Sequence, residues 1–516
     1  MQSMNAHILT IMAVIPLIGA AVVPWLRSFA RETGLAFSLV ILSLGIWALV
    51  AFDMSQGGKV QLLESYQWIP RLGVTWTLGV NALGLAMLLL AVFLVPLVLL
   101  ASWGEIPAER QGSFTALVLS LEAFMVVIFT ARDIFLFYIC FEAMLIPVYF
   151  LIGHFGGPLR QRAALKFLLY SLAGGLVMLV GVVALPVFGT NGSFTYVVDA
   201  LAGNVTASTG AARWMFISFM VAFAIKAPMF PVHTWLPDTA EQATPGTSVL
   251  LIGVLDKIGT YGMITLCLPL FPEAARWAAP VVLLLAAISI VWGALLAIGQ
   301  DDLYRMISFT SISHFGFIVM GIFIGSQVAA TGAMLYMVAH GLSIAGLYLA
   351  VGFLGRRTGT IRISELGGLA RVAPVLAGTF LISGLASIAL PGLSGFVPEW
   401  MVLTGTFSRS IALGVAGLAG VVLAAVYILL PYQRVFTGAP AAVHAGLSDL
   451  DLREKVVLTP VIAAMFVLGL APFLLTDGLT PVSEQVSEQV TVATTVPTQA
   501  AAVPASPLTA SEGSNK

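Results

Sequence analysis

One lysine, Lys226, stands in the middle of an apolar stretch that is long enough to cross a membrane. The same stretch is interrupted by Pro228 and Pro231, which have no backbone N–H to continue a helix. A charge at bilayer depth costs about 2.5–3.5 kcal/mol on insertion scales. Backbone groups freed by proline need the protein interior or water as a partner. Together, these features indicate a path for an ion or a proton.

A second interrupted stretch covers residues 390–399 and holds two prolines and two glycines before it reaches Glu399. Interrupted spans at corresponding positions of two halves are typical of transporter sites. Water or protein must reach the chain at such a break, so Glu399 can take up a proton from the interior and release it outside. The alternative is that Glu399 only caps the half-helix that begins there.

Four more titratable side chains lie within apolar stretches, and they are Glu142, Lys257, His314 and His340. Lysine and histidine in such surroundings can exchange protons near neutral pH. Glu142 needs a basic partner at that depth, and Lys226 is the natural counter-charge. The alternatives are a purely structural ion pair, a lysine that extends to the interface, and histidines hydrogen-bonded within a core.

Two further acids have open roles. Glu122 is also at depth and belongs either to the same path or to helix packing. Asp256 is next to Lys257 and either neutralises it or holds it charged. The six histidines are scattered singly, without a metal-binding spacing. The two cysteines, Cys140 and Cys267, are expected to be inert core thiols.

Composition places all these residues in a membrane protein. Of 516 residues, 59% are hydrophobic and 9% are charged, against about 25% charged in a soluble domain, and the mean hydropathy is +1.01. A net charge of −1 gives no reason to expect a nucleic-acid partner. The first apolar run has no basic residues before it, so we expect a retained span and not a cleaved signal peptide.

Fourteen apolar stretches are long enough to cross a bilayer. The predicted spans are 8–26, 33–52, 79–102, 114–131, 133–153, 166–189, 214–233, 247–270, 278–299, 306–325, 331–354, 373–402, 411–436 and 457–477. Basic residues are about twice as frequent in alternate loops, starting with the loop after the first span, which predicts that both termini are outside. From residue 481 the composition changes to small and polar residues, and we expect a disordered external tail over 481–516.

Four segments together resemble the antiporter-like membrane subunits of respiratory complex I, the proton-pumping NADH–quinone oxidoreductase. They are residues 141–150, 224–238, 305–314 and 390–399. The His-Thr-Trp-Leu-Pro-Asp run at 233–238 is specific to the wider antiporter-like group. Glutamate at the second break, at Glu399, points to the subunit M type, since sister subunits usually carry lysine there.

The resemblance implies an all-α polytopic fold with fourteen helices, ten of them in two inverted five-helix repeats that each contain a broken helix. Residues 1–110 then hold the N-terminal helices, 111–270 the first repeat, 271–436 the second, and 437–480 a loop and the last helix. Glu142 and Lys226 are implied as the coupled pair on the cytoplasmic input side. Lys257, His314 and His340 are implied as the central axis, and Glu399 as the residue near the exit.

The same resemblance implies a multi-pass protein of a bacterial plasma membrane, in contact with lipid, with flanking antiporter-like subunits and with other membrane-arm subunits. No cofactor is implied in this chain, because FMN, iron–sulfur clusters and quinone belong to other subunits. The first alternative is a subunit of a multi-chain cation/proton antiporter or of a membrane-bound hydrogenase. The second alternative is a scaffold that only builds the membrane arm.

Several positions depart from the family pattern. The acid and proline after Asp238 are displaced by one place in residues 239–245, Asn81 stands where aspartate is frequent, and Thr265 and Tyr304 replace basic residues. Asp256 stands where an apolar residue is common, and we expect it to hold Lys257 charged more firmly.

Overall fold

The computed structural model describes residues 7–188, 194–440 and 442–491 of the chain. Within these ranges most residues are helical, and a two-stranded antiparallel sheet joins the second and third helices. In chain order the main elements are α1 (Ile8–Leu26), α2 (Ala30–Ala51), β1 (Gln61–Ile69), β2 (Val74–Val80), α3 (Ala82–Ser102), α4 (Ala108–Thr130), α5 (Ile134–Phe155), α6 (Arg160–Phe188), α7 (Thr209–Lys226), α8 (Trp235–Gln242), α9 (Pro245–Leu270), α10 (Pro272–Ile298), α11 (Leu303–Phe323), α12 (Gln327–Thr358), α13 (Pro374–Ser387), α14 (Phe396–Phe407), α15 (Ile411–Phe436), α16 (Leu452–Leu470) and α17 (Phe473–Val490).

Eleven of the described helices are long and apolar enough to cross a membrane, and a twelfth span results if α16 and α17, bent by 65°, count as one. The prediction of an all-α polytopic membrane protein is therefore confirmed at this level. The two predicted spans that remain, 214–233 and 373–402, correspond to the broken helices α7/α8 and α13/α14.

Three helices form the centre of the molecule. The most apolar windows of α9, α11 and α12 are fully buried inside the chain. By contrast, only about a third of the corresponding windows of α2, α6, α10 and α15 is buried, so these helices surround the centre. Side chains on α9, α11 and α12 are therefore shielded from lipid, which is where polar groups inside a membrane protein are tolerated.

The first broken helix is held open by specific hydrogen bonds. α7 ends at Lys226, and α8 begins only at Trp235 because Pro228 and Pro231 cannot continue the ladder. The indole N–H of Trp235 donates to the freed carbonyl of Ile225 at 2.9 Å. The N–H of Phe230 donates to Ser289 Oγ of α10, also at 2.9 Å. Protein groups thus satisfy this backbone, as the low-dielectric interior requires.

The second break separates α13 from α14. Ala389 and Gly392 have φ values of 59° and 90°, a backbone region that ends a right-handed helix. Gly395 lies so close to the carbonyl of Ala386 that a Cβ would be 2.0 Å from that oxygen. Only glycine allows this approach, so the tight turn brings Glu399 into the first turn of α14.

The C-terminal prediction is wrong for residues 481–490, because α17 continues to Val490. Val482, Val486 and Val490 recur every fourth residue and are all buried, so the duplicated Val-Ser-Glu-Gln segment forms an amphipathic helix. The side chain of Arg276 donates to the carbonyl of Gln489 at 3.0 Å, which fixes the end of α17 against α10. The remainder of the predicted tail, 492–516, lies outside the described residues.

The β1–β2 hairpin was not predicted, and it anchors α1. Glu64 of β1 is buried and accepts from the N–H of Leu9 at 2.7 Å and from the hydroxyl of Thr10 at 2.6 Å. An acidic side chain at a helix N-terminus satisfies free N–H groups and interacts favourably with the helix dipole. The hairpin therefore provides the N-terminal cap that α1 does not provide for itself.

Basic residues gather where α12, α16 and the α3–α4 loop meet. Arg357 donates to both carboxylate oxygens of Glu454, at 2.5 and 3.0 Å, and the Glu454 side chain is only 1% exposed. Glu454 also completes a capping box with Asp451 at the start of α16. In the α3–α4 loop, burial raises the pKa of Glu105 to about 7 against the opposing effect of Arg356.

We predict that Glu454→Gln destabilises this end of the molecule by about 3 kcal/mol, because it removes the buried carboxylate that pairs with the half-buried Arg357. The thermal unfolding of the detergent-purified assembly measures the effect as a lower midpoint. The exposed Glu488 of α17 provides the control, since Glu488→Gln should change stability by at most about 0.5 kcal/mol. Equal midpoints for the two variants would contradict the prediction.

Candidate functional site

Helix α9 has a modified hydrogen-bond ladder on both sides of Lys257. Two π-helical segments, Leu251–Leu255 and Met263–Cys267, enclose the α-helical turn that begins at Lys257. Short π segments inside α-helices are frequent at functional sites, because their wider turn leaves carbonyl groups free. Here the carbonyl of Ile252 accepts a hydrogen bond of 2.8 Å from Lys257 Nζ.

Lys257 is fully buried and contacts the next predicted site residue directly. Its Nζ lies 2.9 Å from Nδ1 of His340 on α12 and 5.4 Å from the ring centroid of Phe315. When Lys257 is an ammonium group it can only donate, and His340 Nδ1 then accepts while Nε2 carries the imidazole proton. His340 Nε2 has no hydrogen-bond partner among the described residues.

The row continues from His340 to α11 and α15. The rings of His340 and His314 are 5.2 Å apart between centroids and nearly perpendicular. His314 Nε2 lies 3.0 Å from the hydroxyl of Tyr427, and the backbone of Ser387 also interacts with this imidazole. No direct hydrogen bond joins the two imidazoles among the described residues, and a bridging water molecule would connect them.

Tyr336 links the histidines to Glu399. Its ring centroid is 5.7 Å from that of His314, and its hydroxyl donates to Glu399 Oε2 at 2.6 Å. Glu399 is 3% exposed, so this carboxyl is far from bulk water. The structure therefore brings Lys257, His340, His314 and Glu399 into one row and adds Tyr336 as a member.

Tyr336, and Tyr427 which contacts His314, were not identified from the sequence. Tyr336 precedes His340 by four residues, so it lies on the same side of α12 one turn away, and this spacing was a usable signal. Tyr427 lies on α15, 113 residues after His314, the residue that it contacts. The residues next to it in sequence contain no signal that indicates a site.

Lys226 and Glu142 are near each other but do not form an ion pair within the described part of the chain. Lys226 is 1% exposed, and its Nζ is 5.0 Å from the ring centroid of Phe167 and 5.5 Å from that of Phe141. Aromatic faces stabilise an ammonium group by about 2 kcal/mol when water is excluded. Glu142 Oε1 lies against Gly175 of α6, so close that a Cβ there would be 1.5 Å away.

Asp256 takes part in the electrostatics of both lysines. It is fully buried, and neither carboxylate oxygen has a hydrogen-bond partner among the residues described. It interacts electrostatically with Lys257 and Lys226, and it acts on Lys226 more strongly than Glu142 does. Glu122 is also fully buried, but no charged group within the described residues contributes to its electrostatics, so it is not brought into the row.

A polar cleft opens beside the first break, on the side where the arginine-rich loops lie. Asp238 of α8 contacts Lys166 at 2.6 Å and Arg305 at 2.8 Å, in a cleft of about 350 Å³. Burial alone would raise the pKa of Asp238, but the hydrogen bonds from Lys166 and Arg305 outweigh it and hold this pKa below its ordinary value. A second cleft of about 370 Å³ shares these residues and extends to Pro231 and His233.

No group of three or more potential metal ligands is found among the described residues. Cys140 and Cys267 are free and buried. The lysine, histidine, tyrosine and glutamate side chains of the row can each hold or pass a proton.

Comparison with known proteins gives the family. A family model described as NADH:quinone oxidoreductase/Mrp antiporter, TM matches residues 131–425, more than half of the chain. NADH-quinone oxidoreductase subunit M of Mycobacterium tuberculosis (strain CDC 1551 / Oshkosh) is 40% identical over 97% of this chain and 98% of its own length.

Two solved structures have the same fold. A chain of respiratory complex I from Thermus thermophilus with bound NADH superposes with a TM-score of 0.85 and 30% identity, over 94% of this chain and 100% of that one. A chain of the Mrp complex from Dietzia sp. DQ12-45-1b superposes at 0.81 with 23% identity, over 93% of this chain and 52% of that one. The second likeness concerns the fold alone.

The extent of these matches over the whole chain confirms the resemblance that the four sequence segments indicated. The chain belongs to the subunit M family of NADH–quinone oxidoreductase, and it is an antiporter-like subunit in the proton-translocating membrane arm of respiratory complex I.

Proposed function

We propose that this subunit moves a proton from Lys226 to Lys257, along His340 and His314, and out through Glu399. The observation that carries the proposal is the row of contacts from Lys257 Nζ to the Glu399 carboxyl, at 2.9 Å to His340 and 2.6 Å from Tyr336 to Glu399. Each group in the row can hold or pass a proton. Every member is buried, so the row is shielded from the surface along its length.

Glu142 acts in this proposal as the switch for Lys226. Two unit charges 4 Å apart interact by about 4 kcal/mol at an effective dielectric constant of 20, enough to change a proton affinity about a thousandfold. The two groups do not form an ion pair in the described structure, and Lys226 Nζ rests between aromatic rings. Redox energy from distant subunits would change their separation, so that Lys226 binds a proton in one state and releases it in the other.

The architecture supports a division into two inverted five-helix repeats, 111–270 and 271–436. In the first group of five spans, α4, α5, α6, α7/α8 and α9, the fourth is broken. In the second group, α10, α11, α12, α13/α14 and α15, the fourth is broken as well. Residues 1–110 add the three helices α1, α2 and α3, and the bent pair α16/α17 adds one crossing after residues 437–451. This division gives fourteen membrane crossings.

An even number of crossings and the arginine-rich loops support an orientation with both termini outside, in a bacterial plasma membrane. Flanking antiporter-like subunits and lipid would cover the outer helices, of which only about a third is buried within the chain. FMN, iron–sulfur clusters and quinone belong to other subunits of the complex in this proposal.

Lys226 gives the test of the proposed function. We expect Lys226→Ala to lower NADH-driven proton uptake by inverted membrane vesicles about tenfold or more, because the proton loses its first carrier. Lys226→Arg keeps the charge but cannot release a proton, and it should be equally impaired. Lys455→Ala, at an exposed position of α16, is the control and should pump normally.

Normal pumping by Lys226→Arg would show that Lys226 need not release a proton and would refute the relay. Normal pumping by Lys226→Ala is what the scaffold alternative predicts. Retention of the subunit in the purified complex is measured for each variant. If Lys226→Ala does not assemble, the proton uptake of Lys226→Arg tests the relay.

Tyr336 gives a second prediction. Tyr336→Phe removes the hydroxyl that donates to Glu399 and interrupts the row at its outlet, so proton uptake should fall about tenfold. The matched control is Tyr261→Phe, which removes a buried hydroxyl that donates to the Phe129 carbonyl of α4. The same vesicle assay compares the two variants, and equal proton uptake by both would exclude Tyr336 from the path.

A further inference from the structure

Asp256 differs from the buried acids Glu399 and Glu64 in having no hydrogen-bond partner among the described residues, a condition that it shares with Glu122. Glu399 receives a hydrogen bond from Tyr336, and Glu64 receives bonds from the backbone of α1. Asp256 has 0% exposure, and neither of its carboxylate oxygens has a partner in the described parts of the chain. A buried polar group in this condition is costly, so it requires an explanation such as a proton or an ordered water.

The packing of α9 places Asp256 beside the end of α7. One turn further along, Gly259 lies so close to α7 that a Cβ would be 2.5 Å from the carbonyl of Phe223 and 2.6 Å from the N–H nitrogen of Ala227. Residues three apart lie on the same side of a helix, so Asp256 is on the side of α9 that meets α7. Lys226 lies between Phe223 and Ala227 at the last position of α7.

The neighbouring Lys257 is directed elsewhere. Successive residues of a helix diverge by about 100° around its axis, and Lys257 Nζ is bonded to Ile252 and His340 towards α12. No ion pair joins Asp256 to Lys257 among the described residues, although the two are adjacent in the chain. Asp256 therefore acts on Lys257 through its charge, while the hydrogen bonds of Lys257 go to Ile252 and His340.

Asp256 is also the common electrostatic neighbour of the two lysines. Of the described acids, Asp256 and Glu142 act on Lys226, and only Asp256 acts on Lys257. Tyr348 of α12 is a further titratable group near Asp256. Lys226 Nζ has no hydrogen-bond partner of its own in the described structure, so the step from Lys226 to Lys257 lacks a carrier.

We propose that the Asp256 carboxyl is this carrier. The Lys226 ammonium gives a proton to the Asp256 carboxylate, leaving a neutral amine and a carboxylic acid. The acid then gives the proton to the neutral amine of Lys257, which becomes an ammonium and restores the carboxylate. A single water molecule on either side of Asp256 completes the contacts. This inference rests on the proposed relay and adds one titratable step to it.

The test compares Asp256→Asn with Asp256→Glu in the intact complex, with NADH-driven proton uptake by inverted vesicles as the readout. Asparagine has the same shape but cannot carry a proton in this way, so uptake should fall about tenfold or more. Glutamate keeps the carboxyl and should restore most of the uptake. Glu122→Gln, at a fully buried acid without an electrostatic partner among the described residues, is the matched control and should pump normally.

A pH profile separates a carrier from a simple counter-charge. If Asp256 only favours the protonated form of Lys257, a lower assay pH replaces its effect and Asp256→Asn recovers. A carrier predicts no recovery at any pH, and recovery at low pH would overturn the inference. Normal uptake by Asp256→Asn while Lys226→Arg is impaired would overturn this inference alone, whereas normal uptake by both variants would refute the proposed relay itself.

An infrared measurement keeps the inference testable if Asp256→Asn does not assemble. Difference spectra of the wild-type complex during NADH oxidation should contain the carbonyl band of a protonated carboxylic acid, and this band should shift in Asp256→Glu. Identical spectra for the two proteins would overturn the inference.

Discussion

The cost of placing charge and unpaired backbone groups in a low-dielectric interior determines most of this structure. Such groups are tolerated only where protein or water satisfies them. The chain meets this requirement by surrounding α9, α11 and α12 with other helices, so that the titratable residues they carry are away from lipid. Where the helical ladder is broken at α7, Trp235 and Ser289 satisfy the freed backbone groups.

The same cost explains why the site consists of side chains that share hydrogen bonds. Lys257 is bonded to a carbonyl that belongs to a π-helical segment, and Glu399 is bonded to a tyrosine hydroxyl. Among the lysines and carboxylic acids of the proposed relay, Lys226 Nζ, Glu142 Oε1 and the Asp256 carboxyl lack a hydrogen-bond partner within the residues described. They lie in the inlet half of the proposed relay. Because no hydrogen bond to the protein holds these groups in place, a change in charge distribution acts most strongly on them.

The sequence allowed prediction of the features that are anomalous in a membrane span. Lys226, Lys257, Glu142 and Glu399 were identified because charge is rare at that depth, and the breaks were identified from proline and glycine. Tyr336 and Tyr427 were not, since a tyrosine in an apolar helix is ordinary and its role depends on what another helix brings to its hydroxyl. Two local patterns do not appear as long apolar runs and were not used: the alternation of residues 74–78, typical of a strand, and the valine at every fourth position of α17, typical of a helix.

The central claim is that the buried groups from Lys226 to Glu399 form one connected path. Electron cryo-microscopy of the intact complex, at a resolution that shows ordered water, tests this claim directly. The account predicts water density that connects Lys226 Nζ, the Asp256 carboxyl and Lys257 Nζ by hydrogen bonds, and continues past His314 to Tyr336. Apolar side chains that fill the space between Lys226 and Lys257 and exclude water from it would contradict the account.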